Sequence, residues 1–199
     1  MKKLVVLISD TGKGSNMRSL IDACMSGLLR AEIVQVISDT ENAKGLAYVR
    51  ENNIPYSIVP NKNDLLSKLQ VYTPDFICLS GWKQFIVGEV IDEFQGKITN
   101  LHPGIIPETI NGEYENPDGT KALWNRGKLT GAAIQNVLNS HATYAGSSIH
   151  ILTHEFDFGP VLGRCFEKVI PQDTVESLYT RLKTKENKLY QEVMIQLCH

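Results

Sequence analysis

Asn100 and His102 stand two residues apart in the segment Thr99-Asn100-Leu101-His102-Pro103-Gly104-Ile105-Ile106-Pro107. On a strand, residues i and i+2 point the same way. The carboxamide and the imidazole therefore project together from the strand's carboxyl end. Pro103 and Pro107 then break the strand and stiffen its exit. Such a pair can bind a developing oxyanion and handle a proton. The same two side chains could instead satisfy loop backbone, and for an isolated Asn-x-His that is the stronger reading. Asp157 changes the balance, because it sits in a turn between two strand-like segments and could reach His102. A carboxylate beside an imidazole orients the ring and favours its charged form. The competing reading of Asp157 is an Asx-turn ahead of Gly159-Pro160. His150 ends the run Gly146-Ser147-Ser148-Ile149-His150, and reads about equally as a half-buried strand histidine and as a functional group.

A second candidate lies near the amino terminus. Asp10-Thr11-Gly12-Lys13-Gly14-Ser15-Asn16 joins an apolar strand to a helix. A helix start offers free N–H groups and a partial positive charge. Glycines let backbone approach a phosphate, and Lys13 adds a point charge. An ordinary turn with Ser15 or Asn16 as N-cap explains the residues equally well. The loop matches neither the dinucleotide fingerprint nor the Walker A pattern.

The elements that must position these residues follow from hydrophobic period. Residues 3–8 are continuously apolar, as a strand covered on both faces is. Met17, Leu20, Ile21 and Cys24 repeat at helical spacing. Strands are expected at 33–37, 56–59 and 75–79, with helices at 42–52 and around 65–72. This alternation implies a parallel sheet with right-handed crossovers, and ligands at the strands' carboxyl ends. Further on, a helix at 86–94 precedes a strand near 97–101. A long loop at 103–119, rich in Pro, Gly, Asn and Glu, has the composition of a functional or mobile segment. A helix at 131–139, strands near 146–153 and 161–169, and an amphipathic helix from Thr174 to about Leu197 complete the chain. Repeats, low-complexity tracts and linkers are missing, so a single domain is expected over 1–199.

Composition bounds the function classes. The 199 residues are 42% hydrophobic and 21% charged, an ordinary globular balance. A formal charge of -2 argues against a broad basic face for nucleic acid. Cys24, Cys78, Cys165 and Cys198 form no C-x-x-C pair, which argues against zinc ribbons and redox motifs and for free thiols in a reducing compartment. The start Met1-Lys2-Lys3 with Leu4 to Ile8 imitates a signal peptide, but the apolar run stops at Ser9-Asp10. No stretch is long enough to span a bilayer. A cytoplasmic protein without a metal is expected, a monomer or homodimer without nucleic-acid or membrane partners.

Four pieces, in order, carry a resemblance: Ile8-Ser9 with Gly14-Ser15-Asn16; Leu79-Ser80-Gly81-Trp82; Asn100-Leu101-His102-Pro103 with Pro107; and Gly146 to His150 through Asp157-Phe158-Gly159-Pro160. Together they span nearly the whole chain and resemble the folate-dependent formyltransferases, most closely the purine-synthesis branch. The resemblance implies a Rossmann-like, mostly parallel α/β sheet with helices on both faces and a mixed C-terminal half. It implies a phosphate-binding half, 1–100, and a folate-binding, catalytic half, 101–199. The implied reaction moves a formyl group from 10-formyltetrahydrofolate to the amine of glycinamide ribonucleotide. Asn100, His102 and Asp157 take the catalytic positions. Gly14, Ser15, Asn16, Lys183 and Glu186 take the ribonucleotide. Trp82, Lys83, Gln84, Phe85, Ile86, His150 and Phe156 line the folate position. On charge pattern alone, Lys183 and Glu186 read as a solvated helix face. Another amine acceptor, such as an amino sugar, and a non-catalytic folate- or nucleotide-binding protein are the alternatives. Gln84 stands where the family often has Arg, and Phe158 replaces a small residue. Residues 108–130 form an insertion after Pro107, expected to move on ligand binding because its composition gives it little to bury.

Overall fold

A computed structural model describes residues 1–9 and 14–199. The expectations for Asp10, Thr11, Gly12 and Lys13 lie outside the described residues. The chain divides into two compact units, Met1–Asn100 with Tyr190–His199, and Leu101–Leu189.

The first unit is built on parallel strands. β1 (Lys2–Ile8) is flanked by β2 (Ala31–Ser38) and by β4 (Phe76–Leu79), with β3 (Tyr56–Ile58) beyond β2 and β5 (Ile98–His102) beyond β4. Leu4, Val5, Val6 and Leu7 are all fully buried. That is why β1 reads as an unbroken apolar run rather than an alternating one: both faces are covered. The crossovers are α1 (Ser15–Met25), α2 (Leu46–Glu51), α3 (Leu65–Tyr72) and α4 (Gly88–Glu93). Met17, Leu20 and Ile21 form the buried stripe of α1.

The second unit contains α5 (Thr130–Asn139) and an antiparallel pair, β6 (Tyr144–Ile151) with β7 (Val161–Lys168). Ile134 and Val137 of α5 pack with Ala145 of β6. Leu178 and Leu182 of α6 (Val175–Cys198) close the same cluster. Among the described residues, β1 to β5 pair in parallel and β6 pairs with β7 antiparallel, which matches the mostly parallel sheet with a mixed C-terminal half expected from sequence. All four cysteines are free, with Cys78 buried. Burial pushes the Cys78 thiol up to about 12, as expected for a thiol that serves packing. Among the described residues no helix is long and apolar enough to cross a membrane.

Candidate active site

His102 is 2% exposed, the last residue of β5. Both its ring nitrogens face oxygen. Nδ1 lies 3.5 Å from Asp157 Oδ1, and Nε2 lies 2.7 Å from the main-chain carbonyl oxygen of Trp124. The expected pairing of Asp157 with His102 is therefore present, and a third residue joins it.

Asp157 sits in the turn between β6 and β7 with φ at 49°, in the left-handed region. Asp tolerates that conformation better than most residues, because its short side chain bonds locally. Its other oxygen, Oδ2, accepts the Gly127 N–H at 2.8 Å, and its carbonyl accepts the Trp124 indole N–H at 3.0 Å. Burial pushes the Asp157 carboxyl up. The hydrogen bond and charge of His102, with the Gly127 N–H, more than offset this and hold it below its ordinary value.

Residues 122–127 supply this wall of the site. Ile105 N–H donates to the Leu123 carbonyl at 2.9 Å, and Asn125 Nδ2 donates to the Pro103 carbonyl at 3.1 Å. Asn125 is itself held by Asn136 Nδ2 of α5, at 2.8 Å. The segment after His102 and the segment around Trp124 are thus stitched side by side. Gly104 makes this approach feasible: a Cβ there would lie 1.8 Å from the Trp124 carbonyl oxygen. The rest of the segment 106–125 packs too. Arg164 of β7 donates to the Ile106 carbonyl, pairs with Glu108 at 3.0 Å and lies over the Tyr114 ring. Ala122, Asn116 and Asn125 are buried. Loop-like composition concealed these contacts, because half of them involve a backbone group.

β6 carries three further polar residues. Ser148 Oγ donates to the Gly104 carbonyl at 2.8 Å and accepts the Ile106 N–H at 3.0 Å. Ser147 Oγ donates to Glu186 Oε1 at 2.6 Å, while the buried Glu186 Oε2 has no partner among the described residues. Burial raises the Glu186 pKa, with Ser147 and Lys183 opposing it. Glu186 is therefore not on a solvated face. Lys183 is partly exposed, with its ammonium over the Tyr179 ring. His150 is fully buried, and burial together with the nearby His102 charge lowers its pKa to about 4. Phe156 is 47% exposed, its carbonyl accepting from Arg126 Nε.

In the first unit, Asn100 is half-buried near the end of β5. The Tyr190 hydroxyl braces that strand, 3.0 Å from Thr99 Oγ1 and 3.2 Å from the Leu79 carbonyl. Gly14 caps α1 with φ at 69°, and a Cβ there would come within 3.1 Å of Gly45 Cα. Ser15 Oγ and Asn16 Oδ1 are buried without partners among the described residues. Polar atoms left so at a helix start suit a ligand. Of the stretch Trp82 to Ile86, Lys83 N–H donates to Ser9 Oγ and Gln84 Nε2 to the Pro60 carbonyl. The buried Trp82 indole N–H has no partner among the described residues, and Phe85 is 67% exposed.

A buried imidazole held by a carboxylate can move a proton beside a reacting carbonyl. Among the described residues no cluster of three or more His, Cys, Asp or Glu is placed to hold a metal ion. The formyl transferase family model matches residues 2–194. The chain is 30% identical to chloroplastic phosphoribosylglycinamide formyltransferase of Arabidopsis thaliana, over 99% of this chain and 65% of that protein. The match to the cowpea (Vigna unguiculata) counterpart spans 61% of that protein. The chain is thus shorter than two-thirds of these plant relatives. It is also 30% identical to phosphoribosylglycinamide formyltransferase of Haemophilus influenzae, over 96% of this chain and 84% of that protein. A solved phosphoribosylglycinamide formyltransferase from Brucella melitensis superposes with a TM-score of 0.79 at 30% identity, covering 99% of this chain and 95% of that one.

Proposed function

This chain belongs to the formyl transferase family, and from that premise we propose that it transfers a formyl group from 10-formyltetrahydrofolate to the amine of glycinamide ribonucleotide. The observation that carries the reading is Asp157 Oδ1 at 3.5 Å from His102 Nδ1, on the Asn-x-His-Pro and Asp-x-Gly segments. The relatives' names supply the acceptor.

Attack of an amine on a formyl carbon places negative charge on the formyl oxygen and leaves a proton to be moved. Asn100 and His102 stabilise the oxygen. The His102–Asp157 pair takes the proton from the attacking amine and returns it to the nitrogen that carried the formyl group. Gly14, Ser15 and Asn16 receive the phosphate. Lys183 and Glu186 contact the rest of the ribonucleotide, with Glu186 Oε2 available to a ribose hydroxyl. Trp82 to Ile86, His150 and Phe156 receive the folate. In this reading 1–100 is the phosphate-binding half and 101–199 the folate-binding, catalytic half.

The test follows release of deformylated folate with and without glycinamide ribonucleotide. Ribonucleotide-dependent release supports the proposal. Release with an amino sugar instead moves the acceptor, and folate binding without transfer makes the chain a binding protein.

A further inference from the structure

We infer that the segment 123–127 is an autoinhibitory strap: the Trp124 main-chain carbonyl covers the edge of His102 that a formyl oxygen needs, and the formyl donor must displace it before transfer. The inference deepens the proposed formyl transfer and rests on it for what does the displacing; the covering itself rests on geometry. Nε2 of the buried His102 meets the Trp124 carbonyl oxygen at 2.7 Å, and Nδ1 meets Asp157 Oδ1 at 3.5 Å. Each ring nitrogen thus has an oxygen opposite it, whichever of them carries hydrogen. Neither is left for a substrate. Asp157 is the partner that the chemistry keeps, since its carboxylate orients the ring. The Trp124 oxygen is the one to leave. It is a neutral carbonyl acceptor, as a formyl oxygen is. One carbonyl replaces the other at Nε2, so the exchange costs only the ties that hold the strap shut.

Those ties are built into the surrounding chain. Gly104 admits the carbonyl, because any Cβ there would lie 1.8 Å from its oxygen. Asn125, next in sequence to Trp124, is the latch. Its Nδ2 donates to the Pro103 carbonyl at 3.1 Å, and its Oδ1 accepts from Asn136 Nδ2 at 2.8 Å. Two residues back, the Leu123 carbonyl accepts the Ile105 N–H at 2.9 Å. Asn125 is buried, with φ at 57°, a left-handed conformation that Asn and Gly adopt readily. Asp157 is held separately, by the Gly127 N–H and the Trp124 indole N–H. Loosening the latch removes neither of those bonds. The fraction of chains with the strap away then sets the apparent affinity for the donor.

The experiment compares the full chain with Asn125→Gly, which keeps the left-handed conformation and removes both side-chain ties. Diethyl pyrocarbonate acylates the imidazole nitrogens it reaches, and peptide mass spectrometry reads the rate at His102 against the exposed His141 and His154. Asn125→Gly is expected to raise the His102 rate about tenfold, the order of two lost hydrogen bonds. KM for the formyl donor is expected to fall by a similar factor, with kcat little changed. An unchanged His102 rate in folded Asn125→Gly overturns the inference. So does a fall in kcat/KM, which would make the strap a support of the site rather than its cover. If Asn125→Gly does not fold, Asn136→Ala removes one of the same ties and is judged by the same signs. A faster His102 rate with no formyl transfer by either chain overturns the function proposed above and leaves the strap standing.

Discussion

Ser148 bridges Gly104 and Ile106: its hydroxyl donates to the Gly104 carbonyl at 2.8 Å and accepts the N–H of Ile106, two residues on, at 3.0 Å. One buried side chain on β6 thus fixes the turn that leaves His102. Ser148→Ala strands a buried donor and a buried acceptor together. The expected loss is about 2 kcal/mol of stability, read from the urea midpoint at unchanged m-value.

Asp157→Asn keeps the shape of the turn and removes the charge beside His102. Formyl transfer should fall by roughly 100- to 10,000-fold in kcat, the usual worth of a positioned acid–base group. Folate affinity, read by fluorescence titration, should change far less. Equal losses in both would mean that Asp157 acts by holding the fold.

His150 predicts an acid limb in stability. The unfolded chain takes up its proton near the ordinary value of 6.5, the folded ring only near 4. Stability from this group is therefore complete above about pH 6.5 and is lost as pH falls towards 4, by up to about 3 kcal/mol. His150→Gln should flatten that stretch of the curve in urea denaturation at stepped pH.

Glu186 predicts the opposite slope. Its folded pKa is raised by burial, so the folded state holds its proton longer than the unfolded one. The stability this gives is present at low pH and is lost as pH rises through the raised value. Glu186→Gln should remove that loss in the same denaturation series. It should also weaken ribonucleotide binding, read as a rise in KM.

Arg164 pins the segment 106–114 through the Ile106 carbonyl, Glu108 and the Tyr114 ring. Arg164→Met should raise the rate of proteolysis within 108–130. We propose that this segment moves on ligand binding, so folate and ribonucleotide together should change its cleavage rate in the unsubstituted chain. Identical rates with and without ligands would contradict that movement.

The elements were legible because hydrophobic period reports burial directly. Leu4 to Leu7 are apolar without alternation and are covered on both faces; Met17, Leu20 and Ile21 repeat at helical spacing and face inward. The pairing of Asp157 with His102 was legible from residue type and a turn signal. Trp124 was not. It meets His102 through a carbonyl that every residue possesses, so no side-chain pattern marks it. Gly104 held a trace of the contact, since a glycine after His-Pro signals close approach, but the sequence does not say of what. Glu186 misled for another reason: a charged residue between Lys185 and Asn187 on a helix reads as solvated, and only the Ser147 hydroxyl across the packing shows it is buried.

The central claim is that Asn100, His102 and Asp157 carry a formyl group to glycinamide ribonucleotide. The most direct measurement supplies 10-formyltetrahydrofolate labelled with carbon-13 in the formyl group and follows the label by NMR, for the unsubstituted chain and for His102→Gln. The account predicts label in a new amide on the ribonucleotide, at a rate about 100-fold or more lower in His102→Gln. Label appearing as free formate, or transfer undiminished in His102→Gln, would contradict it.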